Sequence, residues 1–277
     1  TKKSLKVKYF LVDHKLRNNS STEALFVKNL LKNFSIDLDI LKWNGKKPKS
    51  NIQAIARKKR YNILINNSKK FKINNILFGH HEDDVYENFF IRLLRGSGLK
   101  GIVSLDKKTL INKVNILRPL IQVKKKDLIY ISKKVFNKYV EDPSNEDEIF
   151  KRVRIRNLIK NLENEGFDKN KFKLSIYKLK SVDQSIQFIC QKNLRENTII
   201  SCNKVVLNKE FFNFPQEVLF RSFSQILHLV GKKYFPPRGK KIINILKNLQ
   251  SKIVFKSTLG NCVIKKINST VIVLKER

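Results

Sequence analysis

Methionine is absent from the 277 residues of this chain, which begins with Thr1. We therefore expect that its start has been processed or truncated and that the chain does not begin where its gene does. Long apolar runs are also absent, since no stretch approaches the roughly 18 residues that span a bilayer. The first four residues lead into a strand-like segment and not into the apolar core of a signal peptide. These absences predict a soluble, cytoplasmic protein without a membrane partner.

Cysteine and acidic residues are both scarce. The three cysteines, Cys190, Cys202 and Cys262, are odd in number and widely spaced, which favours neither a disulfide framework nor a zinc site. Only 23 Asp and Glu oppose 59 Lys and Arg, which gives a net charge of +36. Such an excess favours a polyanionic partner. The abundance of Lys, Asn and Ile is, however, also typical of an AT-rich genome, in which Lys accumulates on any solvated surface.

The arginines are the more informative cations. Only 13 of the 59 basic residues are Arg, and eight of these lie between Arg57 and Arg156. In a chain whose common cation is Lys, Arg indicates a position that needs a planar, bidentate fork for phosphate or carboxylate. We therefore expect nucleic acid to be the leading partner.

The first half of the chain alternates strand-like and helix-like segments. The predicted strands are residues 5–13, 36–41 and 73–79, the last of them of the buried type. The predicted helices are residues 20–34, 50–70 and 83–94. Two capping boxes are expected, at Ser20 with Glu23 and at Ser50 with Gln53. This order is typical of βαβ units, so we predict an α/β fold with a parallel sheet. Ligands of such sheets bind at the carboxyl ends of the strands, which brings Asp13, His14 and residues 80–84 to one site.

The pattern changes beyond Asn145. The later elements are predicted to be helices over residues 150–162, 169–195, 216–228 and 239–249, and three β-rich runs that end at Leu274. We divide the chain into a first domain of residues 1–165, a helical linker of residues 166–197 and a small α+β domain of residues 198–277.

The densest polar cluster is GHHEDDVYEN, residues 79–88. Two His and two Asp suggest a metal site, but adjacent side chains at a strand end point in different directions and cannot all bind one ion. The following helix places Asp84 and Glu87 on one face, at i and i+3. Carboxylates there could hold Mg²⁺ bound to a nucleotide or receive the ammonium of an amine substrate. For Asp83 the alternative is a helix cap.

Two weaker motifs lie nearby. The string RGSG, residues 95–98, could bring backbone N–H groups to a phosphate with Arg95 as counter-charge, although Gly96 could equally be a helix C-cap. Asp13 and His14, with Arg17, could contact an adenine or ribose edge, or could be turn chemistry.

Arg152, Arg154 and Arg156 alternate after the rigid turn EDPSN, residues 141–145. On a helix this spacing spreads over about 200° of the circumference, so the three cannot form one stripe. Some could grip phosphate while others pin the acidic turn to the helix, and a solvated basic face is the alternative.

Together these motifs resemble those of tRNA(Ile)-lysidine synthetases, a family of the PP-loop ATP pyrophosphatase group. The matching strings are VDHKLR (12–17), SNIQAIARKKRY (50–61), GHHEDDVYEN (79–88), RLLRGSG (92–98), LRPL (117–120), EDPSN (141–145), RVRIR (152–156), FPPRGK (235–240) and STLGNC (257–262). The last two look like the family's substrate-binding domain, so the resemblance covers nearly the whole chain. The family's SGGxDS loop, which binds ATP phosphates, is not among the 277 residues. We expect it upstream of Thr1.

The resemblance implies an activity. Such enzymes use ATP to adenylate the C2 carbonyl oxygen of the wobble cytidine in the CAU anticodon of tRNA(Ile). The amine of free L-lysine then attacks C2, and AMP leaves. The implied catalytic residues are Asp84, Glu87, His80 and Asp83, with Asp84 steering the lysine ammonium or Mg²⁺. The nucleotide would lie against Asp13, His14, Gly79 and Arg95. Phosphates of ATP or tRNA would be held by Arg17, Arg57, Arg118, Arg152, Arg154, Arg156 and Arg238.

Three other interpretations remain open. A different PP-loop tRNA enzyme, such as a thiolase, would commonly carry paired cysteines, and the chain has no CxxC. A non-catalytic tRNA-binding relative would show salt-dependent binding and no need for ATP. A metal-dependent hydrolase would bind Zn or Mn through His80, His81, Asp83 and Asp84. The oligomeric state is also open, a homodimer included.

Overall fold

The computed structural model divides into two units, Thr1–Asp168 (unit 1) and Lys169–Arg277 (unit 2). It describes residues 7–16, 19–43, 45, 52–137, 147–232 and 237–276, without the side chains of residues 53 and 54. In that part of the chain, no helix is long and apolar enough to cross a bilayer. The predicted Ser50 capping box, Arg17 and the turn at residues 141–145 lie outside the described residues.

The described residues of unit 1 form two small sheets. Strands β1 (Tyr9–Asp13) and β2 (Leu38–Lys42) pair in parallel, with Tyr9 opposite Leu38. In the second sheet, β3 (Asn75–Leu77) is parallel to β5 (Val114–Leu117), and β4 (Lys108–Ile111) is antiparallel to β5. The predicted α/β class with parallel strands is thus confirmed, with one antiparallel strand added.

Helices connect and cover these strands. They are α1 (Ser20–Lys32), α2 (Ile52–Lys70), α3 (Glu82–Leu93), the single turn α4 (Leu99–Ile102), α5 (Lys125–Phe136) and α6 (Lys151–Asn164). Helix α2 packs against both β1 and β3, and α3 packs against α6. A small core of Ile65, Val114 and Ile116 joins α2 to the second sheet. The polar ends of β1 and β3 are therefore both adjacent to α2.

Unit 2 begins with a long helix and continues into an antiparallel sheet. The elements are α7 (Lys169–Asn197), β6 (Thr198–Ser201), β7 (Lys204–Leu207), a 3₁₀ turn (Lys209–Phe212), α8 (Gln216–Gly231), α9 (Gly239–Ser251), β8 (Val254–Thr258), β9 (Cys262–Ile267) and β10 (Thr270–Lys275). The strand order is β6-β7-β10-β9-β8. Alternate residues of these strands, such as Val205, Val271 and Ile264, are fully buried in one core with α8 and α9. Period-two burial of this kind is what a sheet with one covered face requires.

Helix α7 packs against α8 and the 3₁₀ turn. A buried ion pair reinforces the contact, since Arg221 on α8 donates to Asp183 on α7. The helix predicted as part of a linker, residues 166–197, thus makes its contacts with the small α+β region. The functional division at residues 165 and 197 stays a prediction.

Two local predictions are wrong. The N-cap of α1 is Asn19, whose side chain makes no cap hydrogen bond, whereas the Ser20 hydroxyl donates to Asp13 instead of capping the helix. Strand β3 is not of the buried type, since Leu77 is 66% exposed. Only Ile76 of this strand turns toward the core, because neighbouring residues of a strand point to opposite faces.

Candidate active site

Asp13 is the last residue of β1, and its carboxylate accepts hydrogen bonds from three neighbouring groups. It accepts hydrogen bonds from the Lys15 N–H at 2.9 Å, Ser20 Oγ at 2.8 Å and Ser21 Oγ at 2.6 Å. Burial would raise the pKa of Asp13, but these hydrogen bonds outweigh burial and hold the pKa below its ordinary value. Asp13 therefore orders the turn between β1 and α1, which is the structural role given above as the alternative to nucleotide binding. A contact between Asp13 and a nucleotide stays a prediction.

His14 follows directly and is half-buried. Its ring meets Trp43 edge-on, with centroids 6.2 Å apart, and its Nδ1 has no hydrogen-bond partner among the described residues. Burial lowers the pKa of His14, and the charge of Arg60 lowers it further. The imidazole is therefore neutral at pH 7 and can accept or donate one hydrogen bond.

Asp84 caps α3. Helix α3 begins at Glu82 with His81 as the N-cap, and the His81 N–H donates to Asp84 Oδ2 at 3.0 Å. Asp84 thus performs the capping that was the alternative for Asp83, which is only partly buried. Gly79, just before this turn, is exposed, and a Cβ at that position would meet nothing within 4 Å. Space for a ligand therefore exists beside the start of α3.

A charged array lies between α3 and α6. Glu87 is 1% exposed, and its Oε1 accepts from Arg156 Nε at 2.5 Å. Arg152 lies farther from both acids, with Nη1 3.6 Å from Asp84 Oδ1 and Nε 3.8 Å from Glu87 Oε2. Glu87 Oε2 is buried without a hydrogen-bond partner in the described part of the chain. Glu87 Oε1 and Asp84 Oδ2 are therefore hydrogen-bonded, whereas Glu87 Oε2 and Asp84 Oδ1 make the longer contacts with Arg152.

Burial raises the pKa of Glu87, although Arg156 and Arg152 oppose the increase and Asp84 adds to it. Two carboxylates so close together favour an additional cation between them. The array can thus accept a positively charged group of a ligand.

His80 lies within reach of the charges of three guanidinium groups. It is 8% exposed, and burial lowers its pKa from 6.5 to about 4. Asp84 opposes this change, whereas three cations favour it, namely Arg57, Arg118 and Arg60. Nδ1 of His80 has no hydrogen-bond partner among the residues described. A neutral imidazole among cations suits the recognition of an anion.

Arg60 connects the two strand ends. Its charge lowers the pKa of His14, which follows β1. Burial lowers the pKa of Arg60 itself; the charge of Arg152 adds to this decrease, and the charge of Asp84 opposes it. Its Nε is buried and has no hydrogen-bond partner within the described ranges. A common site for both strand ends, which this side chain would join, stays a prediction.

Arg57 and Arg118 flank Tyr61 on α2. The Arg57 guanidinium lies 5.5 Å from the ring centroid of Tyr61, and its Nη2 donates to the hydroxyl at 3.4 Å. Arg118 is 4% exposed, and its Nη1 donates to Asp106 O at 2.8 Å and Thr109 Oγ1 at 2.9 Å. Part of Arg118 is thus structural, while its Nε has no hydrogen-bond partner among described atoms.

Other predicted residues do not join this cluster. Arg154 turns away from α3 and donates to the carbonyls of Glu148 at 2.6 Å and Ile149 at 3.0 Å, so the three arginines divide as their spacing predicts. Arg95 is exposed beyond the end of α3, where Gly96 has φ +67° and acts as the helix terminator. Arg238, in unit 2, is exposed at the start of α9. Phosphate contacts by Arg154, Arg95 and Arg238 stay predictions.

Sequence reasoning missed Arg60 and Tyr61 as site residues. A signal was available, because Arg57 and Arg60 recur at i and i+3 in a helix whose other cations are Lys. Burial of Arg60 could not be foreseen, since α2 has weak apolar periodicity and its core face depends on both sheets.

The described residues contain no group of three or more His, Cys, Asp or Glu arranged to hold a metal ion. Among the cysteines, Cys190 and Cys262 are buried in unit 2 and Cys202 is exposed, all as free thiols.

Comparison with known proteins defines the class of the fold and site. A family model described as a PP-loop domain matches residues 1–163, which is more than half of the chain. The chain therefore belongs to the PP-loop domain family.

Curated relatives extend the similarity into unit 2. A tRNA(Ile)-lysidine synthase of Wolbachia pipientis wMel is 30% identical over 271 residues, covering 96% of this chain and 62% of the relative. One from Orientia tsutsugamushi (strain Boryong) is 31% identical over 275 residues, with the same coverage of 96% and 62%. The resemblance inferred from the motifs is thus confirmed, and the chain spans 62% of the length of these relatives.

A solved structure shares the fold. The chain resembles the U34-tRNA thiolase NcsA from Methanococcus maripaludis, solved with its 4Fe-4S cluster, with a TM-score of 0.51 and 16% identity over 62% of this chain and 60% of that one. At this identity the likeness shows the fold alone.

Proposed function

We propose that this chain carries the catalytic centre of an ATP-dependent ligase that joins free L-lysine to C2 of the wobble cytidine in tRNA(Ile) with a CAU anticodon. ATP would adenylate the C2 carbonyl oxygen and release pyrophosphate. The lysine amine would then form the new C–N bond at C2, lose a proton and displace AMP. The relatives named tRNA(Ile)-lysidine synthase support this reaction. The reaction would take place in the cytoplasm, where tRNA, ATP and lysine meet.

One observation carries the proposal, namely the charged array between α3 and α6. Lysine offers an ammonium and a carboxylate, and the array offers the complementary groups. Asp84 and Glu87 Oε2 can receive the ammonium, and Arg152 contacts both acids only at 3.6 and 3.8 Å. Because these are longer than hydrogen bonds, Arg152 can turn to the substrate carboxylate at little cost, while Arg156 keeps Glu87 in place.

The guanidinium groups around His80 would hold phosphate. Arg57, Arg60 and Arg118 act on one buried imidazole, and Arg60 and Arg118 each have a buried Nε that no described group satisfies. Buried donors of this kind normally have partners, so a phosphate of ATP or of the tRNA backbone would complete them. His80 and His14, both neutral, would accept or donate one hydrogen bond beside it.

Mg²⁺ is expected with ATP, and Asp84 is the residue that fits it. Mg²⁺ in nucleotide sites takes one or two protein carboxylates and completes its shell with phosphate oxygens and water. The donor set therefore suits an ion held mainly by the nucleotide. When bound, Mg²⁺ would neutralise phosphate charge.

The decisive test replaces Asp84 in the full-length protein. Asp84→Asn keeps an oxygen that can accept from the His81 N–H, so α3 stays capped while the charge is lost. We expect incorporation of radiolabelled lysine into a tRNA(Ile) transcript with a CAU anticodon to fall by about 100-fold in kcat/KM. A rise in KM for lysine would assign the carboxylate to the ammonium, whereas a higher Mg²⁺ requirement would assign it to the metal.

Asp37→Asn is the matched control, because Asp37 is an exposed carboxylate of unit 1. It should leave the rate unchanged. If Asp84→Asn retains activity within a few-fold of the wild type, the role given to the array is wrong. Wild-type protein that binds tRNA without ever incorporating lysine in the presence of ATP would instead indicate a non-catalytic tRNA-binding relative.

A further inference from the structure

A cleft of about 530 Å³ opens in unit 2, and none of the residues of the candidate active site lines it. It lies between the end of α9, the turn joining β9 to β10 and the 3₁₀ turn. Its apolar floor is formed by Phe212 and Leu249, with the exposed Ile253 at the edge. Its cationic rim is formed by Lys209, Lys252 and Lys266. The volume is within the range of small-ligand sites, roughly 300–1,000 Å³.

The cationic rim is partly fixed in place. Lys266 Nζ donates to the carbonyl of Leu249 at 2.5 Å, at the end of α9 where the helix dipole favours a cation. The ammonium of Lys252 lies 5.9 Å from the ring centroid of Phe255. Lys209 is 75% exposed and lies 3.8 Å from Glu210, a distance too long for a hydrogen bond. Two ammonium groups are therefore positioned by the fold, and the third is available to a ligand.

The charge of the surrounding unit favours an anion over any other occupant. Residues 169–277 contain 22 Lys and Arg against five Asp and Glu. Two of the five acids, Asp183 and Glu217, are already paired with the buried Arg221. The field at the cleft is therefore strongly positive, and the cleft lining itself contains no acidic residue.

The floor indicates that the anion carries a flat apolar group. Phe212 and Ile253 offer a surface on which a base can stack, and the amides of Gln250 and Asn268 at the wall can hydrogen-bond to a base edge. Lysines beside an aromatic floor are the combination used for nucleotides of single-stranded RNA.

We propose that this cleft binds one unstacked nucleotide of the substrate tRNA, with its base against Phe212 and Ile253 and its phosphate between Lys209 and Lys252. The inference rests on the proposed function, since it takes tRNA as the partner. It gives unit 2 a nucleotide-binding site separate from the chemistry of unit 1.

The test measures binding of fluorescently labelled tRNA(Ile) to the full chain by anisotropy over a series of salt concentrations. The variant is Lys209→Ala with Lys252→Ala. Its matched control is Lys256→Ala with Lys265→Ala, which removes the same charge from cross-strand neighbours on the other face of the sheet. That these lysines face away follows from Phe255 and Lys266, the adjacent residues, which pack toward the core and α9.

We expect the cleft variant to weaken binding by about tenfold at physiological salt. The slope of log K against log salt should fall by about 0.7, because the contact with one phosphate of a single strand is lost. The control should change the affinity less than about twofold and leave the slope unaltered. Phe212→Leu, which preserves an apolar side chain in the core, should weaken binding about tenfold through lost stacking without changing the slope.

Each result decides the matter. If both double variants lose affinity and slope equally, the cleft proposal is overturned, while lysine incorporation by the wild type would leave the proposed function standing. Wild-type protein that binds no tRNA would overturn both. Weakening by the cleft variant and by Phe212→Leu, but not by the control, would establish the nucleotide site.

Discussion

At the residue scale, the site depends on a histidine that the fold keeps neutral. His80 is 8% exposed and shares its surroundings with the guanidinium groups of Arg57, Arg60 and Arg118. A second positive charge there would be costly, both because it is buried and because its neighbours are cations. His80 is therefore neutral at pH 7, and the positive charge at this place comes from the guanidinium groups.

This arrangement predicts a specific pH dependence of stability. Because the pKa of His80 falls from 6.5 to about 4 on folding, the unfolded chain binds the proton more readily between these two values. The free energy of unfolding should therefore fall as pH decreases from 6.5 to 4, by up to about 3 kcal/mol from this residue. His80→Asn should remove that part of the decrease, as measured by urea unfolding at several pH values. Parallel profiles for variant and wild type would contradict the assignment.

The sequence could identify which side chains matter but not how each is used. Spacing places Asp84 and Glu87 on one face of α3, and the structure confirms that both face α6. It could not show that Asp84 rather than Asp83 caps the helix, because that depends on the exact first residue of α3. Nor could it reveal Arg60, whose buried Nε has no hydrogen-bond partner among the described residues.

At the element scale, one buried ion pair connects the long helix of unit 2 to its core. Arg221 is 5% and Asp183 6% exposed, with Arg221 Nη1 2.5 Å from Asp183 Oδ1 and Arg221 Nε 2.7 Å from Glu217 Oε1. Gln187 also donates to Asp183, at 3.0 Å. The buried carboxylate of Asp183 accepts from two donors, and removing either donor would leave it partly unpaired and lower the stability of the fold.

Arg221→Ala should therefore lower the free energy of unfolding by about 3–5 kcal/mol, because Asp183 would remain charged and buried. Arg221→Met with Asp183→Leu should recover much of that loss, since no unpaired charge remains. Arg195→Ala is the control, because its pair with Glu196 is exposed and worth less than about 1 kcal/mol. Denaturant unfolding measures the free energy of unfolding of all three variants. If Arg221→Ala loses no more stability than the control, the buried ion pair does not stabilise the unit.

The sequence predicted the presence and type of the helices and strands better than it predicted their caps and tertiary contacts. Periodicity gave α6, α8 and α9 within a few residues of their observed bounds, since each buries a single apolar face. It failed at Ser20, where a hydroxyl that suits a helix cap instead serves Asp13, and at β3, where an apolar string has only one residue in the core. Both errors arise from tertiary partners that no local pattern contains.

At the scale of the whole molecule, the excess of positive charge has two explanations, a nucleic-acid partner and a lysine-rich composition. The eight arginines from Arg57 to Arg156 include the five that act on the buried acids and His80 in unit 1, which is the behaviour of a site. The lysines are mostly exposed, as composition alone would give. Only some of the net charge of +36 can therefore be assigned to a partner from geometry.

Salt dependence distinguishes the two explanations. If the lysines contact tRNA as a set, six or more phosphates are neutralised, and the affinity of the full chain for tRNA(Ile) should fall by roughly 1,000-fold between about 50 and 200 mM NaCl. If they are mainly a solvated surface, the fall should stay below about tenfold. The ratio of affinities for tRNA(Ile) with a CAU anticodon and for a different tRNA should change far less, because contacts to bases release no counterions. Anisotropy titrations of both tRNAs measure the two quantities together, and a preference that disappears with salt would mean that phosphates alone are recognised.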